Sequence, residues 1–137
     1  MKTLLLIIGM SLSTILVANC QNYMGLTQST IIKRYGTPDF KGANYIVYFD
    51  LEEDGINTYF FDDQNVCSSF VLTRSTNYLA NYQKLLKREF HVTLGNIYIY
   101  KSKKVNLKAE LTKSTDEFQI RIANADDNCI TWAYIDN

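Results

Sequence analysis

Apolar positions recur along this chain with two different periods. Over residues 26–38 the period is helical, and Ile31, Ile32 and Tyr35 form one stripe. Thr27 stands where a hydroxyl can accept from an unpaired N–H at a helix start, and Leu26 and Ile31 occupy the two positions of a hydrophobic staple. Gly36 and Pro38 then stop the helix, one by adopting a left-handed turn and the other by lacking an N–H. The second helical period runs through Tyr78, Leu79, Tyr82, Leu85, Leu86 and Phe90, with Ser75 or Thr76 as its cap. Lys84, Lys87, Arg88 and Glu89 fall mostly on its other side, so it is amphipathic.

Between and after these helices the period falls to two. Ala43 to Asp50, Ile56 to Phe61 and Val66 to Thr73 read as three strands, separated by the turn signals Glu53-Asp54-Gly55 and Asp62 to Asn65. After the second helix come Asn96 to Tyr100, Val105 to Thr112 and Phe118 to Ala123, with Cys129 to Ile135 as a last strand. Val105, Leu107, Ala109 and Leu111 alternate with Asn106, Lys108 and Glu110, the pattern of an antiparallel strand wet on one side. The fold expected is α+β: an antiparallel sheet with two helices packed on one face, built from two tandem αβββ units.

The first residues follow a different rule. Lys2 is followed by an almost wholly apolar stretch from Thr3 to Ala18, then by Asn19, Cys20 and Gln21. Basic, apolar and small residues in that order make a secretory signal. The stretch is short of the ~20 residues a membrane span needs. Residues 1–20 are therefore expected to be a signal peptide and residues 21–137 a single domain in the periplasm or at the outer membrane of a bacterium. Two readings of the cut stand side by side. Val17-Ala18-Asn19-Cys20 forms a lipoprotein box with Cys20 lipidated, although Asn19 is large for its place; alternatively signal peptidase cuts after Ala18 or before Gln21.

Composition narrows the function. Fourteen basic and fourteen acidic residues cancel, and losing Lys2 with the leader leaves thirteen against fourteen. That balance gives no footprint for nucleic acid or for an anionic membrane surface. Lys101, Lys103 and Lys104 read as solvated turn charge. Export permits Cys67 and Cys129 to form a disulfide, which would contribute roughly 4 kcal/mol through the long loop it closes. The other reading makes both small buried hydrophobes.

Catalytic patterns are missing. The one histidine, His91, follows the second helix with no marked nucleophile or orienting acid nearby, and reads as a helix-end side chain. Asp50, Glu52, Glu53 and Asp54, and again Asp62, Asp63 and Asp126, Asp127, lack the alternating ligands of a calcium loop and read as solvated turn acids. The six glycines are dispersed, so no phosphate loop exists. No metal, cofactor or enzymatic activity is expected. The surplus lies in aromatics on strands. Runs such as Tyr59-Phe60-Phe61 put rings on both sides of a sheet, and Tyr98-Ile99-Tyr100 adds two more rings to a strand. Tyr59, Tyr98, Tyr100, Trp132 and Tyr134 are the expected anchors for a protein partner.

The stretch Gly25-Leu26-Thr27, then Ile31-Ile32, then Tyr35-Gly36-Thr37-Pro38 resembles the opening of the SmpA/OmlA (BamE-like) small lipoproteins. Repeated use of one αβ unit also resembles the β-lactamase-inhibitor protein architecture. The resemblance implies an α+β fold and a tendency to bind proteins in the envelope, and transfers no site residue. The second helix departs from the pattern, ending at Phe90-His91 without Gly-x-Pro. Three functions follow in order. The first is an exported envelope module that binds another envelope or exported protein, touching a membrane only through a lipid on Cys20. The second is an inhibitor or immunity-type protein that blocks an exported enzyme. The third is a small hydrolase using His91.

Overall fold

The computed structural model describes residues 23–90, 92–103 and 105–125. Helix α1, Gln28–Tyr35, begins at the expected cap: the Thr27 hydroxyl accepts from the Thr30 N–H at 3.3 Å. It ends at Gly36, whose φ of +94° is open to glycine and costly for other residues, and whose N–H donates to the Ile32 carbonyl at 2.8 Å. Four strands follow: β1 Phe40–Lys41, β2 Tyr45–Asp50, β3 Gly55–Phe61 and β4 Cys67–Ser75. Ser75 caps a 3-10 turn over Thr76–Tyr78 rather than the helix itself, and α2, Leu79–Glu89, continues from that turn. Four more strands complete the described chain: β5 Val92–Leu94, β6 Ile97–Lys101, β7 Asn106–Lys113 and β8 Glu117–Asn124.

All eight strands form one antiparallel sheet in the order β1-β2-β3-β4-β8-β7-β6-β5. Each half is a helix followed by a four-strand meander, and the final strands of the halves, β4 and β8, join them. The expected unit of three strands is thus one short. The additional strands, β1 and β5, are two and three residues long, too brief to carry a period-two signal. The expected strand Cys129 to Ile135 lies outside the described residues.

Register shows which positions share a face. Ile46, Tyr59, Phe70, Ile122, Ala109 and Tyr98 are successive cross-strand partners in a row from β2 to β6, and all are buried. Leu107, Leu111, Phe118 and Ile120 lie on the same parity and join the same cluster. That cluster also takes in Ile31 of α1, and Tyr82 and Leu86 of α2 with the adjoining Phe90. Burying six such aliphatic or aromatic side chains contributes on the order of 10 kcal/mol against the unfolded chain. The sheet is therefore fixed in register, because a slip of one residue would bring the opposite parity into this core.

Candidate interaction surface

On the opposite parity of the sheet, Ile99 of β6 is buried against Ile97 and Ala125, and two other stretches differ in character. Across β7 and β8 this parity is polar, with Thr112, Gln119 and Arg121 exposed and Lys108 and Glu110 half-buried. Glu110 and Arg121 are direct partners across these strands, and the Arg121 guanidinium also sits 5.4 Å above the Phe60 ring. Across β1 to β3 this parity is apolar. Phe40 is 63% exposed, Phe49 50% and Ile56 40%, and register pairs Phe40 with Val47 and Phe49 with Ile56. Leu51, 90% exposed, stands on the β2–β3 turn beside them.

A single exposed apolar residue is ordinary; a contiguous group is not. With ~200 Å² per aromatic side chain, Phe40 and Phe49 together present roughly 200 Å² of open ring surface, and Ile56 and Leu51 raise the patch to about 400 Å². That lies within the size range of functional patches. Its backbone is held firmly. The Asp39 carboxylate accepts from the Phe49 N–H at 2.8 Å, and the Asp39 N–H donates to the Val47 carbonyl at 2.9 Å. Both bonds occupy edge groups of β2 that would otherwise invite another strand.

Next to the patch, at the end of β4, lies the one fully enclosed cation among the described residues. Arg74 is 2% exposed; its Nε donates to Glu53 at 2.7 Å, its Nη2 to Asp50 at 2.9 Å, and its Nη1 to the Thr73 carbonyl at 2.9 Å and the Ile56 carbonyl at 3.3 Å. Tyr82 of α2 donates its hydroxyl to the same Glu53 oxygen. Burial raises the pKa of Tyr82, and its bond to Glu53 raises it further, so the hydroxyl keeps its proton. This node ties the β2–β3 turn to α2. The expectation that Asp50 and Glu53 are solvated turn acids is therefore corrected: they face a buried guanidinium, because β4 carries Arg74 on the core parity. Asp50 also accepts from the Glu52 and Glu53 N–H groups at 3.1 Å each, which shapes the turn.

Beyond the node is a cleft of about 230 Å³ whose lining includes Ile56, Asp54, Asp116 and Glu117. These three carboxylates are exposed, and the one cation in the lining, Arg74, is already bound to Asp50 and Glu53.

The expected aromatic anchors mostly lie elsewhere. Tyr59 is 4% exposed and Tyr98 5%, so both are core residues and the expectation of an exposed surface there is corrected. The reason is parity: both stand in the buried row, whereas Phe49 and Ile56 stand on the other. Tyr100 is half-buried, its ring 6.1 Å from that of Phe90. Trp132 and Tyr134 lie outside the described residues, as do Cys20, Cys129 and His91. Cys67 is 1% exposed, and burial pushes its thiol up to about 11, which leaves it protonated and unreactive near neutral pH. A second aromatic group surrounds Tyr23, whose ring lies 4.6 Å from those of both Tyr35 and Tyr59; burial pushes its hydroxyl up to about 12. Among the described residues no three His, Cys, Asp or Glu side chains are grouped to hold a metal ion. No described helix is long and apolar enough to cross a membrane.

No protein-family model matches the chain, and no curated protein matches it. A solved structure that it resembles is that of a DUF4309 family protein (YjgB) from Bacillus subtilis, at 13% sequence identity and a TM-score of 0.43, with 72% of this chain and 78% of that chain covered. A likeness that loose carries no argument about function.

Proposed function

We infer that this chain is an exported cell-envelope module that binds another protein and carries out no catalysis. The observation that supports it is the patch of Phe40, Phe49 and Ile56, solvent-facing side chains on strands whose register is fixed by the core beneath, with Leu51 on the adjoining turn. Rigid, shallow apolar surfaces of this kind suit a protein partner better than a small molecule, which needs a concave and enclosed site. In this reading both helices cover the core side of the sheet and leave the other side for the partner; membership of Ile31 and Leu86 in one buried cluster supports that arrangement. The leader Met1 to Cys20 supplies the address, either as a removed signal or as a lipid anchor on Cys20.

The repeated order of one helix and four strands favours a second reading, an inhibitor or immunity-type protein, because it parallels the β-lactamase-inhibitor architecture. The test of the first reading has two parts. Intact mass of the protein from membrane and soluble fractions reports the cleavage site and any lipid. A photo-crosslinking residue placed at Phe49 in an exporting host is expected to capture a defined envelope protein, and one placed at Gln119 is not. Full-length cytosolic protein, or no capture at either position, would refute the reading.

A further inference from the structure

The apolar patch and the acidic cleft share Ile56, and this continuity is informative. Ile56 belongs to the patch through its partner Phe49 and to the cleft through its neighbours Asp54 and Glu117. The cleft lies between the start of β3, the end of β4 and the β7–β8 turn, and the Asp116 carbonyl fixes that turn by accepting from the Thr76 N–H at 3.1 Å. Neutralisation of Arg74 by Asp50 and Glu53 leaves the Asp54, Asp116 and Glu117 carboxylates without a compensating cation in the lining. Three negative charges beside an apolar strip form a surface with a preferred partner.

We propose that this end of the sheet seats a short extended segment of a partner protein in which apolar side chains stand next to arginine or lysine. The apolar side chains cover Phe49, Leu51 and Ile56, and the neighbouring cation enters the cleft between Asp54, Asp116 and Glu117. The inference rests on the protein-binding reading and names the chemistry of the partner. Area argues against a second copy as the occupant. The patch of about 400 Å² is half of the ~800 Å² per partner that a stable interface of standard size buries. Charge argues the same way, since two copies would bring six uncompensated carboxylates together. A segment that adds cations satisfies both features.

The test uses the purified full-length mature protein and two synthetic peptides about ten residues long, one alternating tyrosine with arginine and the other tyrosine with glutamate. Fluorescence anisotropy at low salt is expected to show the arginine peptide binding at least tenfold more tightly, with that preference collapsing toward 1 M salt. The triple variant D54N/D116N/E117Q is expected to bring the two peptides within twofold of each other. F49S/I56S is expected to weaken the arginine peptide about tenfold. Should either variant fail to fold, the peptide comparison and its salt dependence still decide the matter on the wild-type chain. Equal affinity for both peptides, or no binding by either, overturns the inference. So does self-association in sedimentation velocity that F49S/I56S abolishes. Crosslinking from Phe49 in the host separates the two levels: capture of a partner that survives the triple variant overturns the acidic cleft and leaves the binding module standing, whereas no capture removes both.

Discussion

Neutralising the two acids that face Arg74 should destabilise the fold more than removing the arginine itself. Arg74 is 2% exposed, whereas the Asp50 and Glu53 side chains are 27% and 34% exposed. In D50N/E53Q the amide oxygens can still accept from the guanidinium, so the main loss is the countercharge; at residue 50 the amide nitrogen also replaces the oxygen that accepts from the Glu52 and Glu53 N–H groups. The remaining cation, 2% exposed, stays largely shielded from water. Breaking a buried pair in this way costs about 3–5 kcal/mol, and the partial exposure of the acids places the expected loss near ~3 kcal/mol. In R74M the cation goes and an unbranched apolar side chain takes its volume. The two carboxylates left behind can turn to water, and Tyr82 still donates to Glu53. The expected loss is about 1 kcal/mol. Urea unfolding at pH 7, followed by circular dichroism, measures both, provided the slope with denaturant stays unchanged so that midpoints report stability. The triple variant D50N/E53Q/R74M closes the cycle, and it should be more stable than D50N/E53Q. If R74M proves as costly as D50N/E53Q or worse, charge compensation is not what the acids supply, and the argument fails.

Other perturbations test other parts of the structure. Gly36→Ala places a Cβ on a backbone with φ +94° and ψ −178°, and should cost about 1–3 kcal/mol in thermal or urea unfolding; an unchanged midpoint would show that α1 can end otherwise. Ile122→Ala empties a position that is 0% exposed and should cost about 2–5 kcal/mol, whereas Arg121→Ala on the next residue should cost less than about 1 kcal/mol; equal losses would contradict the parity of β8. Stability should fall at alkaline pH. Unfolded Cys67 and Tyr23 lose their protons near 9 and 10, while the folded chain holds them to about 11 and about 12, so the unfolded state binds fewer protons across that window. Stability from this source is complete below pH 9 and is lost as pH rises toward 12, with Cys67 alone giving a slope of up to about 1.4 kcal/mol per pH unit. Unfolding midpoints that stay level up to pH 11 would refute it.

Much of this was legible along the chain. Thr27, Gly36 and Pro38 bracket α1 because capping and left-handed turns are local events, decided within a few residues. The six longer strands of the two meanders and the core parity of β7 and β8 were also readable, since strict alternation of Leu107, Ala109 and Leu111 with polar neighbours leaves one choice of buried face. In β2 and β3 that signal is absent. Tyr45, Val47 and Phe49 are as apolar as Ile46 and Tyr48, so the local sequence permits either side to be the core. Only pairing with β4, the next strand along the chain, and through it with β8, more than fifty residues from Tyr59, put Tyr59 inside and left Phe49 and Ile56 in water. Arg74 is a similar case. Its spacing places it on the core parity, but whether a cation can remain there depends on Asp50 and Glu53 arriving from a turn 21 to 24 residues earlier. Local chemistry sets the elements and their ends; which face meets water, and which charges meet each other, is decided when distant strands pair.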